Sequence, residues 1–126
     1  MRDALSILYV DDEPDIRLIV EMSLKLRPDI EVRTADSGEQ AIAMLQGGDW
    51  RPNLVMVDVM MPGMTGPDFL AMLRNDPDTA ELPVIFVTAR ARQQDIAEYI
   101  KLGAKGVITK PFDPIRLADQ VIALAH

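Results

Sequence analysis

The chain contains no cysteine, which excludes disulfide bonds and thiolate metal sites. Its one histidine, His126, is the last residue, where a frayed end is the expected role. A His-based zinc site or a Ser-His-Asp triad has almost nothing to be built from. Positive charge is also scarce. Lys and Arg number 13 against 20 Asp and Glu, a formal charge of −7, whereas a nucleic-acid-binding face needs the opposite balance. No apolar run is long enough to span a bilayer. Met1-Arg2-Asp3-Ala4 leads straight into an apolar strand and not into a signal peptide. The expectation is a cytoplasmic protein with no direct nucleic-acid or membrane contact.

What is present is a hydrophobic content of 48% over 126 residues, the size of one domain spanning 1–126 with a real core. Five apolar runs read as strands, at 5–10, 30–35, 53–58, 82–88 and 105–109. The segments between and after them read as five helices, at about 14–26, 38–47, 67–74, 92–102 and 114–124. Pro14 suits a first helical turn, and Pro28 stops the helix it opens. Ser37 with Gln40 spells a capping box, and Gly47-Gly48 closes that helix. In the second strand Ile30, Val32 and Thr34 alternate with Glu31 and Arg33, which fits an edge with one wet face. The third and fourth strands are apolar throughout, as central parallel strands are. Strands separated by single helices imply right-handed crossovers and a parallel α/β sheet.

Four strands end on polar side chains. Asp11 and Asp12 follow the first, Asp58 ends the third, Thr88 ends the fourth and Lys110 follows the fifth. In a parallel sheet the carboxyl ends of the strands share one rim, where ligands bind. Each residue alone has an ordinary explanation, since adjacent acids often cap a helix and Thr at a strand end is common. Their convergence on one rim is what points to chemistry. Three carboxylates there repel one another, by roughly 3 kcal/mol per pair at about 5 Å and an effective dielectric near 20. One lysine cannot offset three acids, and an all-oxygen site suits a hard cation, Mg²⁺ or Mn²⁺. A carboxylate can also act as a nucleophile and become an aspartyl phosphate. Asp58 is the best placed, with acids on one side and Thr88 and Lys110 on the other. Lys110 and the metal would neutralise phosphoryl charge, Thr88 would donate a hydrogen bond to it, and Ala89 would leave it room.

At these residues the chain resembles the receiver domains of bacterial two-component response regulators. The resemblance covers essentially the whole length and is carried by Val10-Asp11-Asp12-Glu13, the run Asp58-Val59-Met60-Met61-Pro62-Gly63-Met64-Thr65-Gly66, Thr88-Ala89 and Lys110-Pro111-Phe112. It implies a doubly wound, flavodoxin-like and CheY-like α/β fold with strand order 2-1-3-4-5. It implies that Asp58 accepts a phosphoryl group from a histidine kinase or a histidine phosphotransfer protein. It implies Mg²⁺ held by Asp12, Asp58 and the backbone carbonyl of Met60, with Asp11 acting mainly through water, and Thr88 and Lys110 on the phosphoryl oxygens. A cis Lys110-Pro111 bond comes with it. Such a domain is not a conventional enzyme, since it catalyses only its own phosphorylation and slow dephosphorylation. Its output passes to a protein partner through the face formed by the fourth helix, fifth strand and fifth helix.

The sequence departs from the family pattern in places. Val107 stands where an aromatic gate is common, so the signal is expected to pass through Thr88 and the following loop without one. Lys105-Gly106-Val107 lacks the acidic pair of regulators that dimerise through that face, which disfavours that dimer. Tyr99 and Ile100 are candidates for a partner surface, with core packing the favoured role for Ile100. Met60 and Arg90 flank the path of an attacking water and are expected to slow hydrolysis of the phosphorylated state. Alternatives stay open. The chain fits a free-standing switch and equally a receiver excised from a larger regulator or hybrid kinase. A flavodoxin-like cofactor binder is disfavoured by the acids of Asp11-Asp12-Glu13, which repel phosphate. An aspartyl phosphatase would want an Asp where Glu13 stands, and a pseudo-receiver would not need the full set of site residues.

Overall fold

A computed structural model describes residues 4–125. The calls on Met1-Arg2-Asp3 and on His126 lie outside them. The elements run β1 (Leu5–Val10), α1 (Pro14–Leu24), β2 (Ile30–Ala35), α2 (Gly38–Gly47), β3 (Leu54–Asp58), α3 (Gly66–Asn75), β4 (Val84–Thr88), α4 (Gln93–Leu102), β5 (Gly106–Thr109) and α5 (Leu117–Ala125). All strand pairs are parallel, in the order β2-β1-β3-β4-β5. That is the expected CheY-like flavodoxin fold.

Every residue of β3 and β4 is buried, because helices cover both faces of the sheet. Alternate residues of each strand feed opposite cores. Leu8, Val10, Val55, Val57, Val84 and Phe86 pack with α2 and α3. Ile7, Tyr9, Leu54, Met56, Ile85 and Val87 pack with α1 and α5. At the edge, β2 exposes Glu31 and Arg33 as its alternation required. Trp50 covers that edge, donating to Glu31 and stacking under Arg33, whose guanidinium lies 4.7 Å from the ring centroid. Among the described residues no helix is long and apolar enough to cross a membrane.

Several element ends differ from the sequence reading, each for a local reason. α1 stops at Leu24, two residues short, because the next turn tightens: the Leu26 and Arg27 N–H groups donate to the Ser23 and Leu24 carbonyls, three residues back, at 3.3 and 3.1 Å. β4 starts at Val84 and not at Leu82, since Pro83 has no N–H for the ladder. α5 starts at Leu117, three residues late. Asp113 accepts the Ile115 N–H at 2.9 Å on its side chain and the Arg116 N–H at 3.0 Å on its carbonyl, making a separate turn ahead of the helix. The capping box at Ser37 is only half formed. Its hydroxyl accepts the Gln40 N–H at 3.1 Å, but the Gln40 side chain accepts from Asp36 and not from Ser37. A complete box forms instead at Thr65 and Asp68, which starts α3 at Gly66. Gly66 is required there: a Cβ would lie 2.9 Å from the Asp58 carbonyl oxygen and the Val59 Cα.

α4 has no fully buried residue. The core role favoured for Ile100 is overturned, as Ile100 is 45% exposed. Tyr99 faces inward instead, edge-on to Phe86 with ring centroids 5.2 Å apart. Val107 packs against the same cluster, half-buried. Gly106 sits under Leu124 of α5, and Lys105 donates to the Ala125 carbonyl at 2.9 Å.

Candidate functional site

Strand order brings the rim together. β1, β3, β4 and β5 are successive neighbours, so Asp11, Asp58, Thr88 and Lys110 emerge side by side. Val10 pairs with Val57, Asp58 with Val87 and Thr88 with Thr109. The Lys110 N–H extends the ladder by donating to the Thr88 carbonyl at 2.8 Å, and the Lys110-Pro111 peptide is cis.

The lysine lies elsewhere than on the flank opposite the acids. Its Nζ donates to Asp58 Oδ2 at 3.0 Å and to Asp11 Oδ2 at 3.1 Å, with Glu13 Oε1 at 3.8 Å. It reaches across Asp58 because Asp11 is the most buried acid, at 0% exposure against 4% for Asp58, and a buried carboxylate needs a cation. Asp12 stays exposed. One carboxylate oxygen each of Asp11, Asp12 and Asp58 lie within 4.8 Å of one another.

Asp11 is also held from three other directions. Tyr9 donates its hydroxyl to Oδ2 at 2.7 Å, the Glu13 N–H donates to Oδ1 at 3.0 Å, and Arg17 donates to the Asp11 carbonyl at 2.8 Å. Neither Tyr9 nor Arg17 figured in the sequence reading. Tyr9 carried a usable signal: it lies two residues before Asp11 on an extended strand, hence on the same face. Arg17 carried none that separates it from any other arginine on an exposed helix.

Around Asp58, the Met60 N–H donates to Oδ1 at 3.3 Å while the Met60 residue is 72% exposed. The Thr88 hydroxyl, buried, accepts the Arg90 N–H at 3.0 Å, which leaves its own proton free to donate. Ala89 and Arg90 are exposed at the mouth. An apolar pocket of about 350 Å³ opens beside Lys110, walled by Ile16, Ile19, Pro111 and Phe112.

The electrostatics follow from crowding. Burial raises the Asp58 carboxyl above its ordinary range, and the Asp11 charge adds to this, against the opposing hydrogen bond from Lys110. For Lys110, burial pulls down, but the bond to Asp58 and the charge of Asp11 outweigh it and the ammonium is held above its usual value. Burial, then Asp11, push the Tyr9 phenol far upward, so it stays a donor. Three acids against one lysine, all-oxygen donors and an acid that ionises reluctantly make a site that fits a hard divalent cation. The same site presents a carboxylate nucleophile beside an ammonium and a hydroxyl donor, a set suited to receiving a phosphoryl group.

Comparison with known proteins agrees with this geometry. The profile of the response regulator receiver domain matches residues 7–122. The chemotaxis protein CheY-3 of Vibrio cholerae is 37% identical over 117 residues, 93% of this chain and 88% of that one. Response regulator Rre1 of Synechocystis sp. is 38% identical over 93% of this chain, which spans 50% of that relative's length. Among solved structures, the chemotaxis response regulator CheY4 of Vibrio cholerae superposes with a TM-score of 0.85 at 31% identity, covering 95% of this chain and 98% of that one.

Proposed function

The chain belongs to the response regulator receiver domain family, and from that premise we propose that it is a phosphoryl-accepting switch whose acceptor is Asp58. Receiver domains are signalling switches and not conventional enzymes, and they interact with histidine kinases and downstream effectors. In this reading a carboxylate oxygen of Asp58 attacks the phosphorus of a phosphohistidine, on a histidine kinase or a histidine phosphotransfer protein. The P–N bond breaks, the imidazole leaves with the electron pair and takes up a proton, and Asp58 becomes an acyl phosphate. The observation that carries the proposal is the position of Lys110 Nζ, 3.0 Å from Asp58 Oδ2 inside a three-acid cluster.

Mg²⁺, or Mn²⁺, would be held by Asp12, Asp58 and the Met60 carbonyl, with Asp11 acting through water. When bound it supplies positive charge against the phosphoryl oxygens. Lys110 exchanges its bond to Asp58 for one to a phosphoryl oxygen. Thr88 turns its free proton to another, and the small Ala89 leaves the approach open. Because the Thr88 hydroxyl accepts from Arg90, that turn also disturbs the β4–α4 loop. The loop shifts the balance of two states of the α4–β5–α5 face, which a protein partner reads. Val107 provides no aromatic gate in this path. Spectra with and without a phosphoryl mimic test the route, and an unchanged α4–β5–α5 face would count against it. The exposed Met60 and Arg90 stand over the path of a hydrolysing water and prolong the phosphorylated state.

The proposal treats residues 1–126 as one receiver domain and places it in the cytoplasm, with no direct role in nucleic-acid or membrane binding. It holds equally for a free-standing chain and for a module of a longer regulator or hybrid kinase. The test is intact mass after incubation with acetyl phosphate, with and without Mg²⁺, for wild type and Asp58→Ala. One added phosphoryl group in Mg²⁺-loaded wild type alone is expected; labelling of Asp58→Ala would overturn the assignment.

A further inference from the structure

Asp11 and Asp12 are neighbours in the chain, yet the fold treats them in opposite ways. Asp12 is exposed and no side chain or backbone hydrogen bond to its carboxylate is found among the described residues. Asp11 is fully buried, and both its oxygens are engaged: Oδ1 by the Glu13 N–H, Oδ2 by the Tyr9 hydroxyl and the Lys110 ammonium together. Oδ2 accepts two bonds and Oδ1 one, so a cation meets an unengaged carboxylate on Asp12 and a largely occupied one on Asp11. The tyrosine completes the occupation of Oδ2, the oxygen it shares with Lys110. It is itself fully buried among Val20, Leu24, Met56 and Val87, so its ring has no freedom to withdraw the hydroxyl.

We propose that Tyr9 is a positioning residue of the phosphoacceptor site: by sharing Asp11 Oδ2 with Lys110 it keeps Asp11 out of the inner shell of the divalent ion. It leaves Asp12 and Asp58 as the direct carboxylate ligands, and it limits how strongly Asp11 draws Lys110 away from Asp58. The inference rests on the phospho-switch reading above and explains why three crowded acids do not simply chelate the cation together. A chelate of all three would hold the ion tightly but draw it, and the lysine, toward the Asp11 side, away from the oxygen that must take the phosphoryl group. The geometry thus exchanges metal affinity for reactivity at Asp58.

Tyr9→Phe deletes one oxygen and keeps the ring. Isothermal titration is expected to show Mg²⁺ bound about threefold more tightly, because a freed lone pair joins the ion's shell. Labelling by acetyl phosphate at saturating Mg²⁺ is expected to slow about tenfold, the low end of what losing an outer-shell partner costs in activity. Leu24→Val, which trims the same core without touching the rim, should lower thermal stability and move neither quantity. An unchanged or weaker Mg²⁺ affinity in Tyr9→Phe, or an unchanged saturating rate, overturns the proposal. A second measurement needs no variant of Tyr9. The chain has two tyrosines, Tyr9 and Tyr99, so tyrosine labelled at the hydroxyl-bearing ring carbon gives two NMR signals, assigned with Tyr99→Phe. The hydrogen-bonded Tyr9 signal should keep its metal-free position when Mg²⁺ saturates; a shift to the unbonded position that tracks binding would overturn the inference. If wild type is not labelled at Asp58 at all, the phospho-switch reading fails; if wild type is labelled and Tyr9→Phe behaves identically, only the tyrosine's role fails.

Discussion

Replacing Lys110 by methionine removes an ammonium and retains most of the stem. The charge it removes lies 3.0 Å from Asp58 and 3.1 Å from Asp11, acids whose side chains are 6% and 0% exposed. Removing one partner of a buried ion pair costs 3–5 kcal/mol, and since Lys110 is itself partly exposed the low end applies, about 3 kcal/mol. For a chain of this length that corresponds to a fall in Tm of roughly 10 °C. The loss should depend on conditions in a defined way. The Asp58 carboxyl is already raised by burial, so the fold favours its protonated form and loses stability as pH rises from the ordinary carboxylate value through the raised one. Lys110 is also raised, so its contribution is complete below the unfolded lysine value and is lost only as pH climbs through the higher folded value. Without the lysine the Asp58 carboxyl climbs further. The deficit of Lys110→Met should therefore be greatest at neutral pH and above, and shrink in mild acid. It should shrink again on adding Mg²⁺, which replaces the missing charge. Urea unfolding at pH 5 and pH 7.5, with and without Mg²⁺, measures all four conditions. A deficit independent of both pH and Mg²⁺ would refute the reasoning, because the lysine would then matter for packing and not for charge.

Other perturbations give sharper local tests. Mg²⁺ affinity should fall as pH is lowered and protons compete for the raised Asp58 carboxyl, and binding in acid should release protons, both readable by titration calorimetry in buffers of different ionisation heat. Gly66→Ala places a Cβ against backbone atoms of Asp58 and Val59, and should cost about 2 kcal/mol in urea unfolding and weaken Mg²⁺ binding. Gly106→Ala meets the Leu124 side chain, with Cδ2 2.8 Å away, and not backbone, so its cost should be the smaller of the two. Met60→Asn with Arg90→Glu should speed loss of the phosphoryl group from Asp58 severalfold, measured by timed decay after donor removal; equal rates would end the idea that these side chains shield it.

Much of the fold could be read from the residues. The solid apolar runs of β3 and β4 announced central strands, and the alternation of Ile30, Val32 and Thr34 announced an edge. Polar residues at the strand ends located the rim, since parallel topology leaves them nowhere else to go. The sheet order came from the resemblance, because hydrophobic pattern alone does not say which strand lies beside which. Helix ends were the weak point. Pro114 suits a first helical turn, but the competing Asp113 turn takes the same N–H groups first, and only the folded backbone decides between them. The exposure of Ile100 was hidden for a similar reason: an apolar residue on a helix of mixed pattern is buried or not according to how the helix sits on the sheet. Within the site, the convergence of Asp11, Asp12, Asp58 and Lys110 on one rim was legible. The lysine's placement across Asp58 onto Asp11, and the tyrosine beneath, were not, because they depend on how deeply each acid is buried.

The account stands on Asp58 taking up the phosphoryl group with the help of a divalent ion among the acids. Borohydride reduces an aspartyl phosphate to homoserine, so peptide mapping of chain labelled with acetyl phosphate and then reduced locates the acceptor directly. Homoserine at position 58, formed with Mg²⁺ and absent after chelation, is the predicted result. Homoserine at another acidic position, or the same yield at position 58 with the metal removed, would contradict it.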